Sequence, residues 1–180
     1  MTETGLSGLM LRDLIVARIR DIPDYPQPGV VFKDITPLLG DGPAFVQVIG
    51  GLAATYPEVD KVAGIEARGF ILAAPVACSL GAGFVPVRKK GKLPAATFSE
   101  DYQLEYGTAT IEVHQDAFSP GERVLVVDDV LATGGTAHAT ADLVQRAGAT
   151  VAGIAVLIEL SFLSGRDKLP GLPVTALLTV

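Results

Sequence analysis

The sequence predicts an α/β domain built on a parallel sheet with helices on both faces. Two observations predict it. Short apolar runs recur at KVAGI (61–65), GFVPVR (83–88), RVLVVD (123–128), VAGIAVLIEL (151–160) and VTALLTV (174–180). Several of these runs are separated by segments with helical patterning, and near-continuous apolar strands between helices imply a sheet covered on both sides.

The elements follow in order. Leu11, Leu14, Ile15 and Ile19 mark one face of an amphipathic helix, with Arg12, Asp13 and Arg20 off that face. Pro23, Pro26 and Pro28 end it and stiffen the connection. Residues 42–56 suit a second helix. A helix is expected after Gly69, although Pro75 interrupts its pattern, and another over 136–147, closed by Gly148 as a C-terminal cap. The segment 89–121 breaks the rhythm: it is polar, carries Lys89, Lys90 and Lys92, and shows an antiparallel ribbon near 95–98 and 108–113. An excursion of that length reads as a lid or binding loop, with a solvated hairpin as the alternative.

A chain of 180 residues fits one domain spanning 1–180. At this size about two-thirds of the unfolded surface can be buried, so no disulfide or metal staple is required. A hydrophobic fraction of 49% with 19% charged residues argues against disorder. The net charge of −6 disfavours a nucleic-acid partner, because the phosphate backbone repels it. Cys78 is the single cysteine, which excludes an internal disulfide and a multi-cysteine zinc site. Its apolar surroundings, LAAPVACSL, predict a buried thiol. His114 and His138 lie in different segments without metal-ligand spacing and read as surface or capping residues, so no dedicated protein metal site is expected. No apolar run reaches the roughly 18 residues of a membrane span, and the N-terminus lacks a signal-peptide pattern. A cytoplasmic protein without a membrane partner is the expectation.

Chemistry concentrates in VLVVDDVLATGGTAHA, residues 124–139. An apolar strand runs into Asp128 and Asp129, then Ala132, Thr133, Gly134, Gly135 and Thr136, then a helix. Open parallel sheets bind ligands beyond the carboxyl ends of their strands. Glycines let successive N–H groups turn around an anion, and the helix N-terminus points its positive dipole end at the same place. Neither G-x-x-x-x-G-K-[ST] nor G-x-G-x-x-G is present. A carboxylate pair followed by a phosphate loop suits a ribose 5-phosphate, with the acids on the 2- and 3-hydroxyls.

VVDDVLATGGT resembles the 5-phosphoribosyl 1-diphosphate signature of type I phosphoribosyltransferases. The likeness extends over about 11–169 through PGVVFKDITPLL, GIEARGF, RKKGKLP, LEYG and ELSFLSGRDKL. It implies a Rossmann-like parallel sheet with a small N-terminal hood (about 1–40) and a lid ribbon within 89–121. It also implies purine salvage, with adenine and 5-phosphoribosyl 1-diphosphate converted to AMP and diphosphate. Mg²⁺ would be bound mainly through the substrate, and the chain would be a homodimer.

Roles follow from the same resemblance. Arg68, Arg88, Lys89 and Lys92 would bind diphosphate, where a guanidinium can grip two oxygens at once. Phe32 would stack on the adenine, read by backbone groups of Val31 and Lys33, with Val130 against its other face. Glu105 would move the proton of the imidazole nitrogen, and Tyr106 would help position the lid. Two alternatives stay open: a phosphoribosyltransferase for another purine such as xanthine, and a non-catalytic regulator that binds the phosphoribosyl ligand.

Overall fold

The structure, a computed structural model, describes residues 8–103 and 107–180. Helix α1, Gly8–Val16, leads into an antiparallel pair, β1 (Arg20–Pro23) and β2 (Val31–Asp34). The resemblance places base-reading backbone at Val31 and Lys33, and the structure adds its antiparallel partner, β1, in a hairpin. Cross-strand charges hold it: Lys33 reaches both carboxylate oxygens of Asp21 at 2.7 and 2.8 Å, and Arg20 reaches Asp34 at 2.7 Å. Helix α1 stops at Val16, so Ile19 packs from outside it.

Helices α2 (Thr36–Gly40) and α3 (Gly42–Thr55) follow. Asp41 caps α3, accepting the Ala44 N–H at 3.1 Å while Arg18 donates to the same carboxylate at 2.6 Å. Then come β3 (Lys61–Ile65), α4 (Arg68–Leu80) and β4 (Gly83–Lys89). Helix α4 continues through Pro75 and ends on Gly81 at φ 65°, a left-handed position that suits glycine. Cys78 is exposed, against expectation. The helical period sends Leu72, Ala73, Val76 and Ala77 inward and leaves Cys78 on the outer face, despite its apolar neighbours in sequence.

The ribbon is β5 (Thr97–Gln103) and β6 (Thr108–His114). It is more than a solvated hairpin: β6 pairs antiparallel with the end of β4, and Ile111, Val113 and Phe118 enter the core. Strand β7 (Arg123–Leu131), helix α5 (Gly135–Arg146), strand β8 (Thr150–Glu159) and strand β9 (Val174–Thr179) complete the domain. The predicted cap of α5 holds, with the Gly148 N–H on the Gln145 carbonyl at 2.9 Å.

The main sheet has the order β5-β6-β4-β3-β7-β8-β9. Strands β4, β3, β7, β8 and β9 are parallel, and the antiparallel ribbon extends one edge. Strand β7 shows why both faces are covered. Val124 and Val126 join the core on the α5 side, whereas Leu125 and Val127 join the core formed by α1, α3 and α4. All four are fully buried, so the run reads as continuously apolar.

Candidate active site

The carboxyl end of β7 carries the site. The strand runs to Leu131, past the predicted limit of 128, so Asp128, Asp129 and Val130 belong to it. The loop then turns at Gly134, with φ 79°, and α5 begins at Gly135. Asp128, Thr133, Gly134, Gly135 and Thr136 line one small pocket in front of that helix. The N-terminus of a helix offers unpaired N–H groups and a positive dipole end to an anion.

The loop rests on a residue the sequence reading did not single out. A Cβ on Gly134 would come within 2.2 Å of the Gly165 carbonyl oxygen. Only glycine allows this approach together with the positive φ.

The two acids sit side by side, Asp129 buried and Asp128 half-buried. The Asp129 N–H donates to Asp128 Oδ1 at 2.8 Å, and a Cβ on Gly69 would come 2.8 Å from that same oxygen. Gly69 therefore lets α4 close down on the carboxylate. Burial, then the charge of Asp129, pushes Asp128 well above the ordinary carboxylate range. Burial raises Asp129 as well, opposed chiefly by Arg68. Arg68 Nε stands 2.8 Å from Asp129 Oδ2, meeting it as a charge without an aligned hydrogen bond.

Beside the acids lies an apolar cleft. Val31, Phe32 and Lys33 of the hairpin meet Val130, Arg68 and Leu160 across it. The four residues predicted for base binding are thus brought together, and Leu160 joins them without any distinguishing signal in the sequence. Tyr25 meets the Phe32 ring edge-on at 5.2 Å, and the Arg68 guanidinium lies 4.8 Å from its centroid.

The basic run divides. Lys89 and Lys92 are exposed. Arg88 is half-buried, pairing with Glu66 at 3.3 Å and donating to the Lys92 carbonyl at 3.0 Å. Glu66 also accepts the Lys89 N–H, and these bonds hold its carboxyl below the usual range. Arg88 thereby shapes the turn that carries the two lysines. Glu105 and Tyr106 lie outside the described residues. His138 is exposed and pairs with Asp142 at 3.0 Å, whereas His114 is half-buried.

A strand-end acid pair, a glycine loop at a helix N-terminus and an adjoining apolar cleft define a class. The profile of the phosphoribosyl transferase domain matches residues 38–168, and the chain belongs to this family. An adenine phosphoribosyltransferase of Thermobifida fusca is 64% identical over 169 residues, spanning 93% of this chain and 96% of its own. The crystal structure of the adenine phosphoribosyltransferase from Rhodothermus marinus superposes with a TM-score of 0.91 at 54% identity, covering 96% and 99% of the two chains. That of the Saccharomyces cerevisiae enzyme, complexed with adenine and an imino-altritol bisphosphate, gives 0.90 at 35% identity, covering 94% and 99%.

Proposed function

We propose the following division of labour for the adenine phosphoribosyltransferase reaction in this chain. The chain serves purine salvage, transferring the 5-phosphoribosyl group from 5-phosphoribosyl 1-diphosphate to adenine and giving AMP and diphosphate. One observation carries the assignment: Val130 lines both the pocket of the glycine loop and the apolar cleft of Phe32. A base in the cleft and a phosphate on the loop are then joined across Asp128 and Asp129, where a ribose has its hydroxyls.

Residues 132–136 hold the 5-phosphate and the acids accept from the ribose diol. Phe32 and Val130 sandwich the adenine, while Val31 and Lys33 read its edge through the backbone. Arg68, with Lys89, Lys92 and the turn shaped by Arg88, neutralises the diphosphate. As the bond from the sugar carbon to diphosphate breaks, its electron pair leaves with the diphosphate. The base nitrogen supplies the pair for the new bond, and its proton passes to Glu105. A closed ribbon keeps water from the activated carbon.

Mg²⁺ would be held mainly through the diphosphate of the substrate rather than by a dedicated set of side chains. Among the described residues no group of three His, Cys, Asp or Glu side chains is placed to hold an ion, and Asp129 is engaged by Arg68. When bound, the ion draws charge from the leaving group. A homodimer is the working unit, supported by the exposed cationic turn at 88–92, which suits completion of a neighbouring site. No described helix is long and apolar enough to cross a membrane.

Incubation with the activated sugar, Mg²⁺ and each of adenine, guanine, hypoxanthine and xanthine tests the reading. AMP formation with adenine as the preferred base is expected. Preference for xanthine would move the assignment to another purine, and no turnover with any base would leave a ligand-binding regulator.

A further inference from the structure

We propose that Arg166 is a positioning residue for the 5-phosphate, acting through Glu159 and the turn that supports the glycine loop. The proposal rests on residues 132–136 being the phosphate site. Neither side chain lines that pocket, although both lie in the segment ELSFLSGRDKL.

The geometry forms a closed circuit. Leu131, the last residue before the loop, pairs across the sheet with Glu159, the last residue of β8. Glu159 is 6% exposed. Its two carboxylate oxygens accept Arg166 Nε at 2.5 Å and Arg166 Nη2 at 2.7 Å, while Arg166 Nη1 donates to the Val174 carbonyl at 2.8 Å. The preceding residue, Gly165, stands directly behind the loop. A Cβ added to Gly165 would come 2.2 Å from the Ala132 carbonyl oxygen and 3.1 Å from the Gly134 nitrogen. The loop is therefore registered twice against the same residue, once through the backbone pairing of Leu131 with Glu159 and once through the Glu159 carboxylate by way of Arg166 and Gly165.

The turn needs such an anchor. It consists of two single-turn 3₁₀ segments, Ser161–Leu163 and Gly165–Lys168, joined by Ser164 at φ 51°. Short segments of this kind have little stability of their own, and a left-handed serine persists only where its surroundings impose it. The planar guanidinium supplies two parallel bonds to Glu159 and fixes both the distance and the direction of the turn. A lysine offers one point charge in place of that fork.

Binding of AMP and of adenosine to the full chain separates this role from general stability, because adenosine lacks the phosphate. In the wild type AMP should bind far more tightly than adenosine. Arg166→Lys keeps the charge and loses the fork; it should reduce the AMP preference by about fivefold, with adenosine affinity unchanged. The double variant Glu159→Leu/Arg166→Met leaves no orphaned buried charge, so it should fold. Its AMP preference should fall by about tenfold or more.

A folded variant that retains the wild-type preference overturns the proposal. So does an equal loss of AMP and adenosine binding, which would mark general loosening. If the double variant does not fold, Arg166→Lys decides alone. A wild-type preference near one removes the phosphate-loop reading itself, and the positioning role with it.

Discussion

Arg68 ties the start of α4 to the acidic end of β7 by reaching Asp129 at 2.8 Å. The same guanidinium covers the face of Phe32, so one cation bridges the acid pair and the apolar cleft. In the proposed role, diphosphate would compete for this cation with far more charge than one carboxylate. Hydrogen bonds to charged groups contribute about 1.5–3 kcal/mol each. Arg68→Gln should therefore raise KM for the activated sugar, and the inhibition constant of diphosphate, by about 10- to 100-fold. Initial-rate kinetics check this, and unchanged diphosphate inhibition would remove Arg68 from that role.

Glu105→Gln keeps size and hydrogen bonding but cannot take the base proton. General acid–base groups contribute about 10²–10⁴-fold to rate, so kcat should fall within that range while AMP affinity stays nearly intact. A single-turnover measurement is the right check, because product release cannot mask the chemical step there. Near-full rate would return the proton to water or another residue.

Gly134→Ala tests the loop by itself. The added methyl meets a backbone oxygen at 2.2 Å and sits at φ 79°, so both clash and strain oppose the native turn. AMP affinity should fall by about tenfold or more in titrations on a variant whose far-ultraviolet dichroism is native. A folded variant with wild-type affinity would show that the close approach to Gly165 is dispensable.

The strands and the chemistry of 124–139 were legible because burial on both faces and a glycine turn each leave a local pattern. Long-range packing left none. The β1–β2 hairpin is fixed by pairs such as Lys33 with Asp21, which alternation and proline counting do not reveal. Cys78 was misplaced because apolar neighbours in sequence say less than the helical period. Ile111 and Val113 look like part of a polar excursion until β6 docks on β4. Gly165 and Leu160 acquire their places from residues distant in sequence, Gly134 for the one and Phe32 and Val130 for the other, a relation that no periodicity encodes.

Asp128 connects stability to function. Its native carboxyl holds a proton more firmly than the unfolded chain does, because burial and the Asp129 charge disfavour ionisation. Between the ordinary carboxylate range and the raised native one, the native state binds more protons than the unfolded state. Raising the pH through that interval therefore lowers stability, and above it the loss is complete. Asp128→Asn keeps an oxygen for the Asp129 N–H and has no charge to desolvate. The free variant should be more stable than the wild type near neutral pH, with each ~1 kcal/mol appearing as about 2–4 °C in Tm. The gap should widen from mildly acidic to neutral pH, while AMP binding and turnover both weaken through the lost ribose contact. Thermal melts of the two unliganded proteins across pH 5–8 give the comparison. A gap that stays constant or narrows as the pH rises would mean that Asp128 is no more costly to ionise in the fold than in water.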